Sequence, residues 1–191
     1  MSKGKLFVIS GASGVGKSTV LKMVMAARQD LSFSVSATTR EPRPGEQEAV
    51  SYYFVSKERF EQMITEDAFV EYDNHAKNYY GTPRKQLEEK LQEGNVILDI
   101  EPNGAAAVRK VRPDATLIFI MPPSAEELER RLRGRGDTSP EQIAVRLERA
   151  KWEMEQSSWY DHVVVNDCVE TCAEKILHII ARVADELNGG N

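Results

Sequence analysis

The sequence predicts an α/β fold in which a parallel sheet is covered by helices on both faces. Apolar runs typical of strands buried on both sides occur at Leu6–Ile9, Val96–Ile100 and Ala115–Ile120. Segments with helical spacing of apolar residues lie between these runs, and such alternation favours a parallel sheet. With 191 residues, the chain suits one compact domain.

The first predicted strand leads into a segment that matches the phosphate-loop pattern G-x-x-x-x-G-K-[ST]. The segment consists of Gly11, Ala12, Ser13, Gly14, Val15, Gly16, Lys17 and Ser18. Its glycines let backbone amides turn inward, Lys17 can reach the β and γ phosphates, and the Ser18 hydroxyl can bind Mg²⁺. A helix predicted from Ser18 to Gln29 would place the phosphates at its N-terminus, which attracts anions. The sequence therefore predicts binding of a nucleoside triphosphate.

The segment that follows differs in composition from the rest of the chain. A strand is predicted over Phe33–Ala37, and the proline-stiffened stretch after it contains Arg40 and Arg43. A helix is predicted after an N-cap at Ser56. Further short strands are predicted over residues 52–55, 69–72 and 78–81. Residues 36 to about 82 are therefore predicted to form a small β-rich insertion.

One acidic residue, Asp99, interrupts the apolar run Val96–Ile100. An acid at this place on a buried strand suits a Mg²⁺ ligand opposite Ser18, acting directly or through water. The alternative is an acid that caps the helix following the strand.

An arginine-rich segment, which includes Arg131 and Arg135, lies beside two glycines in the second half of the chain. A solvated charged face is the ordinary interpretation of such a run, but glycine hinges in a triphosphate-binding chain favour a mobile phosphate clamp. Capping boxes are predicted at Ser124 with Glu127, and at Ser139 with Gln142 for a long helix carrying Arg146 and Arg149. The last strand is predicted at His162–Asn166, and Thr171 with Glu174 is predicted to cap the closing helix.

Composition narrows the classes of function. The chain is 41% hydrophobic and 29% charged, with a net charge of −5, which argues against nucleic acid as a partner. Its apolar runs are too short to span a bilayer, and Met1–Lys5 does not resemble a signal peptide, so we expect no membrane association and a cytoplasmic location. The two cysteines, Cys168 and Cys172, are predicted to be packed thiols rather than a disulfide or metal site.

Several separated motifs together resemble the guanylate kinase family over about residues 4–184. They are the segment 36–43, Tyr52 with Phe54, Glu71, the segment 78–82, Leu98–Ile100, the arginines from Arg131 to Arg146, and Asn166 with Asp167. The resemblance implies a P-loop core with a five-stranded parallel sheet (residues 1–35, 83–129 and 152–191), a GMP-binding insertion (36–82) and a lid (130–151). It also implies transfer of the γ-phosphoryl group of ATP to GMP or dGMP, with Mg²⁺.

The resemblance further implies a role for each matching residue. Arg40, Arg43, Tyr52 and Tyr80 would hold the GMP phosphate, and Ser36, Glu71 and Thr82 would read guanine. Lys17, Arg131, Arg135 and Arg146 would neutralise the transferring group, Asp99 would lie near metal and acceptor, and Asn166 near the adenine of ATP. Chemistry agrees for Glu71, because a carboxylate can accept both adjacent N–H donors of guanine, which adenine lacks.

One segment departs from the family pattern. After Ile100 the chain continues Glu101-Pro102-Asn103-Gly104, where the family usually has an acid, a hydrophobic residue, Gln and Gly. No family role is therefore transferred to Asn103. Another nucleoside monophosphate kinase, a protein-binding domain of guanylate kinase type and a nucleotide-hydrolysing switch are the alternative functions. The sequence is compatible with a monomer or a homo-oligomer.

Overall fold

The structure, a computed structural model, describes residues 4–75, 77–134 and 139–185. In chain order its strands are β1 Leu6–Gly11, β2 Leu31–Phe33, β3 Ala37–Thr38, β4 Tyr53–Phe54, β5 Phe69–His75, β6 Asn78–Pro83, β7 Asn95–Asp99, β8 Thr116–Met121 and β9 His162–Val165. Its helices are α1 Lys17–Ala27, α2 Lys57–Thr65, α3 Arg84–Glu93, α4 Pro102–Val111, α5 Ala125–Arg133, α6 Pro140–Glu155 and α7 Val169–Asp185, with a 3₁₀ helix at Gln156–Trp159. None of the helices within these ranges is long and apolar enough to cross a membrane.

Five strands form a parallel sheet in the order β2-β7-β1-β8-β9. Because successive side chains of a strand point to opposite faces, Phe7 and Ile9 of β1 pack into one core, and Leu6 and Val8 into another. Helices α1, α5, α6 and α7 contribute to the first core, and α3 and α4 to the second. The predicted parallel sheet with helices on both faces is confirmed.

A second sheet, in the order β4-β3-β6-β5, is built from the segment predicted to be β-rich. Phe60 of α2 is fully buried and stacks on Phe69 and Tyr79, with ring centroids 4.4 and 5.1 Å apart. Strands β5 and β6 are antiparallel and place Glu71 opposite Thr82. The aromatic core therefore supports a strand pair that carries two buried polar side chains.

The carboxyl ends of β1 and β7 lie side by side at one edge of the parallel sheet, with Ile9 opposite Asp99. Strand β1 leads directly into the glycine-rich loop, and α1 begins at Lys17. Crevices at the carboxyl edge of parallel sheets are where ligands bind in open α/β folds. The fold thus brings the predicted loop and the predicted acid to one place.

The single strand predicted over Phe33–Ala37 is wrong. Strand β2 ends at Phe33, and the Ser34 amide donates to the carbonyl of Ile97 in the parallel sheet at 2.9 Å. The carbonyl of Ser36 accepts from Tyr53 of the second sheet, also at 2.9 Å. The alternating pattern fits extended backbone, but the segment crosses between sheets because its hydrogen-bond partners change.

The two predicted capping boxes differ. Ser139 and Gln142 form a complete box at the start of α6. At α5, the Ser124 hydroxyl accepts from the amide of Glu127 at 3.1 Å, so half of that box is present. The Glu127 carboxylate instead pairs with Arg130 and Arg131, which lower its pKa to about 2.

The predicted cap of the closing helix is also wrong, because α7 begins at Val169 and Thr171 lies in its first turn. Both cysteines are free thiols, but only Cys172 is buried, and burial raises its pKa to about 11. Cys168 precedes the helix and is exposed, with its thiol 2.8 Å from the Glu170 carboxylate. The packed-thiol prediction therefore fails for Cys168.

Candidate active site

The loop between β1 and α1 forms a cradle of backbone amides. Gly14 and Gly16 have φ angles of 86° and 94°, in the left-handed region that favours glycine. A Cβ atom at Gly14 would also lie 2.5 Å from Cδ2 of Leu132. Helix α1 has no acidic residue in its first turn, so its amino-terminal amides present a partial positive charge. This arrangement suits a polyphosphate.

A cavity of about 560 Å³, called here the donor cavity, lies beside the loop. Its lining includes the whole predicted loop, namely Gly11, Ala12, Ser13, Gly14, Val15, Gly16, Lys17 and Ser18. Asp99 at the end of β7 and Glu101 beyond it line the cavity, and Arg146, Arg149 and Glu153 line it from α6. The lining therefore combines the amides of the loop with the guanidinium groups of Arg146 and Arg149.

The predicted metal ligands both line the donor cavity. Asp99 ends β7, and its carboxylate forms an ion pair with the Lys17 ammonium. Ser18 is exposed in the first turn of α1. A hydroxyl and a carboxylate are oxygen donors of the kind that Mg²⁺ prefers. In the described ranges no three acidic, His or Cys residues form a metal-binding group, so Mg²⁺ bound here would need phosphate or water as further ligands.

Two residues predicted to act on ATP contact the loop backbone in this structure. Asn166 is 1% exposed and donates from Nδ2 to the carbonyl of Val15 at 2.8 Å. Arg131 donates to the carbonyls of Asn166 and Val15, at 3.0 and 3.3 Å, and pairs with Glu127. The Oδ1 atom of Asn166 is buried without a hydrogen-bond partner among the residues described. Both side chains thus hold the loop through the Val15 carbonyl.

A second cavity of about 290 Å³, called here the acceptor cavity, lies between the second sheet and the end of β7. It is lined by five of the residues predicted to bind GMP, namely Ser36, Tyr52, Glu71, Tyr80 and Asp99. Gly104 of α4 and Asp73 of β5 complete its wall near Glu71. The structure therefore brings together side chains that are far apart in the sequence.

Glu71 is the buried charged group of the acceptor cavity, with 7% of the residue exposed. Burial raises the pKa of its carboxyl, the nearby Asp73 carboxylate raises it further, and a hydrogen bond from Thr82 opposes the rise. The Thr82 hydroxyl donates to Oε1 at 2.6 Å. A Cβ atom at Gly104 would lie 3.0 Å from Oε2, so glycine leaves room for that oxygen.

The arginines predicted to hold the acceptor phosphate follow β3 and lie outside the linings of both cavities. Arg40 forms a bidentate pair with Glu46, at 2.9 and 3.0 Å, and lies 5.4 Å from the ring centre of Tyr52. Hydrogen bonding to Glu46 raises the pKa of the Arg40 guanidinium further. Arg43 is exposed, and its amide donates to Glu46 at 2.8 Å. Glu46 was not predicted, although an acid three residues after Arg43 in a turn was a usable signal.

Lys17, Asp99 and Glu101 line both cavities. The two cavities are therefore adjacent, and the Lys17 ammonium stands where they meet. An anion in either cavity would lie near this cation.

Two residues that were not predicted also line the donor cavity, Glu153 from α6 and Glu101 from the start of α4. Arg149 pairs with both carboxylates, and its Nε lies 3.0 Å from Oε1 of Glu153. Glu153 is buried on the same face of α6 as Ile143 and Ala150. An acid at a core position of an amphipathic helix was the available signal. Arg135, predicted to be catalytic, lies outside the described residues.

Comparison with known proteins finds similarity along most of the chain. The family model described as guanylate kinase matches residues 3–183. A guanylate kinase of Thermus thermophilus is 49% identical over 179 residues, which cover 93% of this chain and 81% of that protein. The guanylate kinase of Nostoc sp. (strain PCC 7120 / SAG 25.82 / UTEX 2576) is 48% identical over 174 residues, covering 91% and 87%. A crystal structure of guanylate kinase from Anaplasma phagocytophilum aligns with a TM-score of 0.76 at 34% identity, covering 96% of this chain and 87% of that chain.

Proposed function

The chain belongs to the guanylate kinase family, and from this premise we propose how its residues transfer a phosphoryl group from ATP to GMP. The enzyme is an ATP:GMP phosphotransferase, and its reaction gives ADP and GDP. The observation that carries the assignment of its sites is the pair of adjacent cavities that share Lys17, Asp99 and Glu101. ATP phosphates in the donor cavity and GMP in the acceptor cavity would meet at Lys17.

On the donor side, the loop amides and Lys17 bind the ATP phosphates. Arg146 lines the same cavity and adds positive charge to it. Arg131 and Arg135 are proposed as further lid cations, and Asn166 as a residue near the adenine. Ser18 and Asp99 would hold Mg²⁺, which when bound neutralises charge on the phosphates.

On the acceptor side, the buried carboxylate of Glu71 reads guanine. Guanine presents adjacent N–H donors, and a purine without them would leave this carboxylate desolvated and unpaired. Ser36 and Thr82 are proposed to read the base with Glu71, Ser36 from the cavity lining and Thr82 through its hydrogen bond to Oε1 of Glu71. Asp99 would lie near the metal and the acceptor. GMP and dGMP are the proposed acceptors.

The acceptor phosphate is held by Arg40 and Arg43 with the hydroxyls of Tyr52 and Tyr80. A guanidinium presents a planar fork that matches phosphate oxygens, so two of them can orient the attacking oxygen. This phosphate is mostly dianionic at neutral pH, because its second pKa is about 6, and no strong general base is required. The residues instead supply positive charge and orientation.

The proposed division of the chain follows from these roles. The core comprises residues 1–35, 83–129 and 152–191, the GMP-binding insertion residues 36–82, and the lid residues 130–151. Closure of insertion and lid would exclude water and so limit hydrolysis of ATP. The composition of the chain supports a cytoplasmic location.

The experiment that tests the proposal measures ADP release from ATP and Mg²⁺ with GMP, AMP, CMP, UMP or no acceptor. We expect ADP release that depends on GMP and stops on chelation of Mg²⁺. A preference for another nucleotide would contradict the role of Glu71. Turnover without an acceptor would favour a hydrolysing switch, and no turnover at all would favour a binding domain.

A further inference from the structure

Glu153 is a buried carboxylate in the wall of the donor cavity. The residue is 3% exposed, on the face of α6 that packs against the core. Oε2 accepts a hydrogen bond from the backbone amide of Ser13 at 2.6 Å. Oε1 accepts from Nε of Arg149 at 3.0 Å. One side chain therefore joins the phosphate loop to a helix 140 residues later in the chain.

This position is costly for a carboxylate. Burial removes its hydration, and a negative charge in this wall repels the polyphosphate that the cavity is proposed to bind. An apolar side chain would suit the neighbours on this face of α6, since Ile143 and Ala150 belong to the core. The two hydrogen bonds are what an apolar residue could not supply.

The bond to Ser13 orients the start of the loop. Ser13 donates its amide to Glu153, and the Val15 amide donates to the carbonyl of Ala12 at 2.9 Å. Gly14 and Gly16 supply the left-handed turns that follow. With Ser13 held, the amides at the N-terminus of α1 keep one arrangement toward the cavity.

The same carboxylate locates α6 against the loop. Arg146 lies seven residues before Glu153, about 10 Å along the helix axis at 1.5 Å per residue. Arg149 neutralises Glu153 and also pairs with Glu101, which lines both cavities. A shift of Glu153 would therefore move the loop and the helix that carries the cationic wall relative to each other.

We propose that Glu153 is a positioning residue of the kinase reaction, which fixes the phosphate loop through the Ser13 amide and sets the lid helix α6 against it. The inference rests on the proposed seating of ATP phosphates in the loop. The part of Glu153 that performs this role is the carboxylate oxygen that accepts the hydrogen bond, because this oxygen holds the Ser13 amide. A glutamine retains an acceptor oxygen in the same place, whereas a methionine of similar length has none.

The test compares Glu153→Met with Glu153→Gln, and the matched control is Glu155→Met, which changes an exposed acid on the same helix. The readout is the Kd of ADP with Mg²⁺ and, separately, of GMP, measured by calorimetry. We expect Glu153→Met to weaken ADP by about tenfold or more, the effect of losing one hydrogen bond to a charged group. Glu153→Gln should stay within about threefold, and the control and the Kd of GMP should stay near wild type. Should methionine prevent folding, Glu153→Ala removes the same acceptor with a smaller side chain.

Three results would overturn the inference. ADP could bind Glu153→Met as tightly as wild type, the Met and Gln variants could lose equal affinity, or ADP and GMP could be weakened alike. Lys17→Ala separates this failure from failure of the proposed function. If Lys17→Ala binds ADP normally, the premise that the loop binds the ATP phosphates fails. If Lys17→Ala loses ADP binding while Glu153→Met binds ADP as wild type does, the premise stands and only the role of Glu153 is refuted.

Discussion

Replacing Glu71 with glutamine tests how this kinase selects guanine. The substitution keeps the size of the side chain and exchanges one carboxylate oxygen for an amide group. In the structure the Thr82 hydroxyl donates a hydrogen bond to Oε1 at 2.6 Å, and Oε2 lies next to Gly104. Glutamine can turn either its oxygen or its amide toward the base, but it cannot present two acceptors. Guanine would therefore lose at least one charge-assisted hydrogen bond.

The size of the effect follows from burial. Because Glu71 is 7% exposed, water cannot replace a lost partner of the base. A hydrogen bond to a charged group contributes about 1.5–3 kcal/mol, and an amide directed at an N–H donor adds repulsion. We expect a loss of about 2–3 kcal/mol, or roughly 30- to 150-fold in kcat/KM for GMP. Discrimination against AMP should fall as well, because the penalty for leaving a buried charge unpaired disappears.

The assay measures initial rates of ADP release with GMP or ATP varied while the other substrate is saturating. KM for ATP should remain near wild type. The matched control is Glu61→Gln, the same chemical change on an exposed residue of α2 in the same insertion, which pairs only with Lys57 at 3.8 Å among the contacts described. Unchanged kcat/KM for GMP in Glu71→Gln would refute base recognition by this carboxylate, and equal losses toward ATP and GMP would indicate a general defect.

The same substitution should affect stability in the opposite direction. Burial raises the pKa of Glu71, so the folded protein favours the neutral carboxyl. For an acid with a raised folded pKa, stability falls as pH rises from the ordinary glutamate pKa through the folded value, and the loss persists above it. Glu71→Gln cannot ionise, so at neutral pH its Tm should be at least that of wild type, with the difference shrinking on acidification. A lower Tm at neutral pH would contradict this account.

Three further substitutions test other parts of the site. Lys17→Ala removes the cation shared by both cavities, so kcat should fall by about 100-fold or more while Tm changes little, and normal turnover would exclude the assigned role. Arg43→Ala removes an exposed guanidinium, so KM for GMP should rise without a change in Tm, and an unaltered KM would show that another group holds the phosphate. Gly104→Ala places a Cβ atom 3.0 Å from Oε2 of Glu71, so KM for GMP should rise while KM for ATP does not, and equal effects on both would point to a distorted core.

Features that depend on local sequence could be predicted. The buried runs that became β1, β7 and β8 are continuous in the sequence, and the phosphate loop lies within eight consecutive residues. The capping box of Ser139 and Gln142 spans four positions. In each case the interactions that decide the structure are between near neighbours, so the pattern contains them.

Features that depend on distant partners could not be predicted in the same way. The residues between β2 and β3 alternate like a strand, but their partners are Ile97 and Tyr53 in different sheets. Threonine is a residue type that often caps helices, yet α7 begins at Val169, so Thr171 lies inside the helix. The contact of Glu153 with Ser13 joins positions 140 residues apart, and only its place on the core face of α6 hinted at it. In such cases tertiary contacts override the local preference of the sequence for one secondary structure.

The cations of this site are arranged for exchange of partners. Lys17 pairs with Asp99, Arg40 with Glu46, and Arg149 with Glu101 and Glu153. On the proposed roles, the Asp99 and Glu46 carboxylates hold their cations in place and would compete with an incoming phosphate, whereas Glu153 keeps its contact with Arg149. Binding therefore exchanges one anionic partner for another, and the free energy gained is a difference between two charge-assisted interactions. A phosphate with two charges and several acceptor oxygens can displace such a carboxylate, whereas a singly charged ligand would not. On the proposed roles, these pairs would favour phosphorylated substrates over other anions and would keep the cationic side chains ordered before the substrates bind.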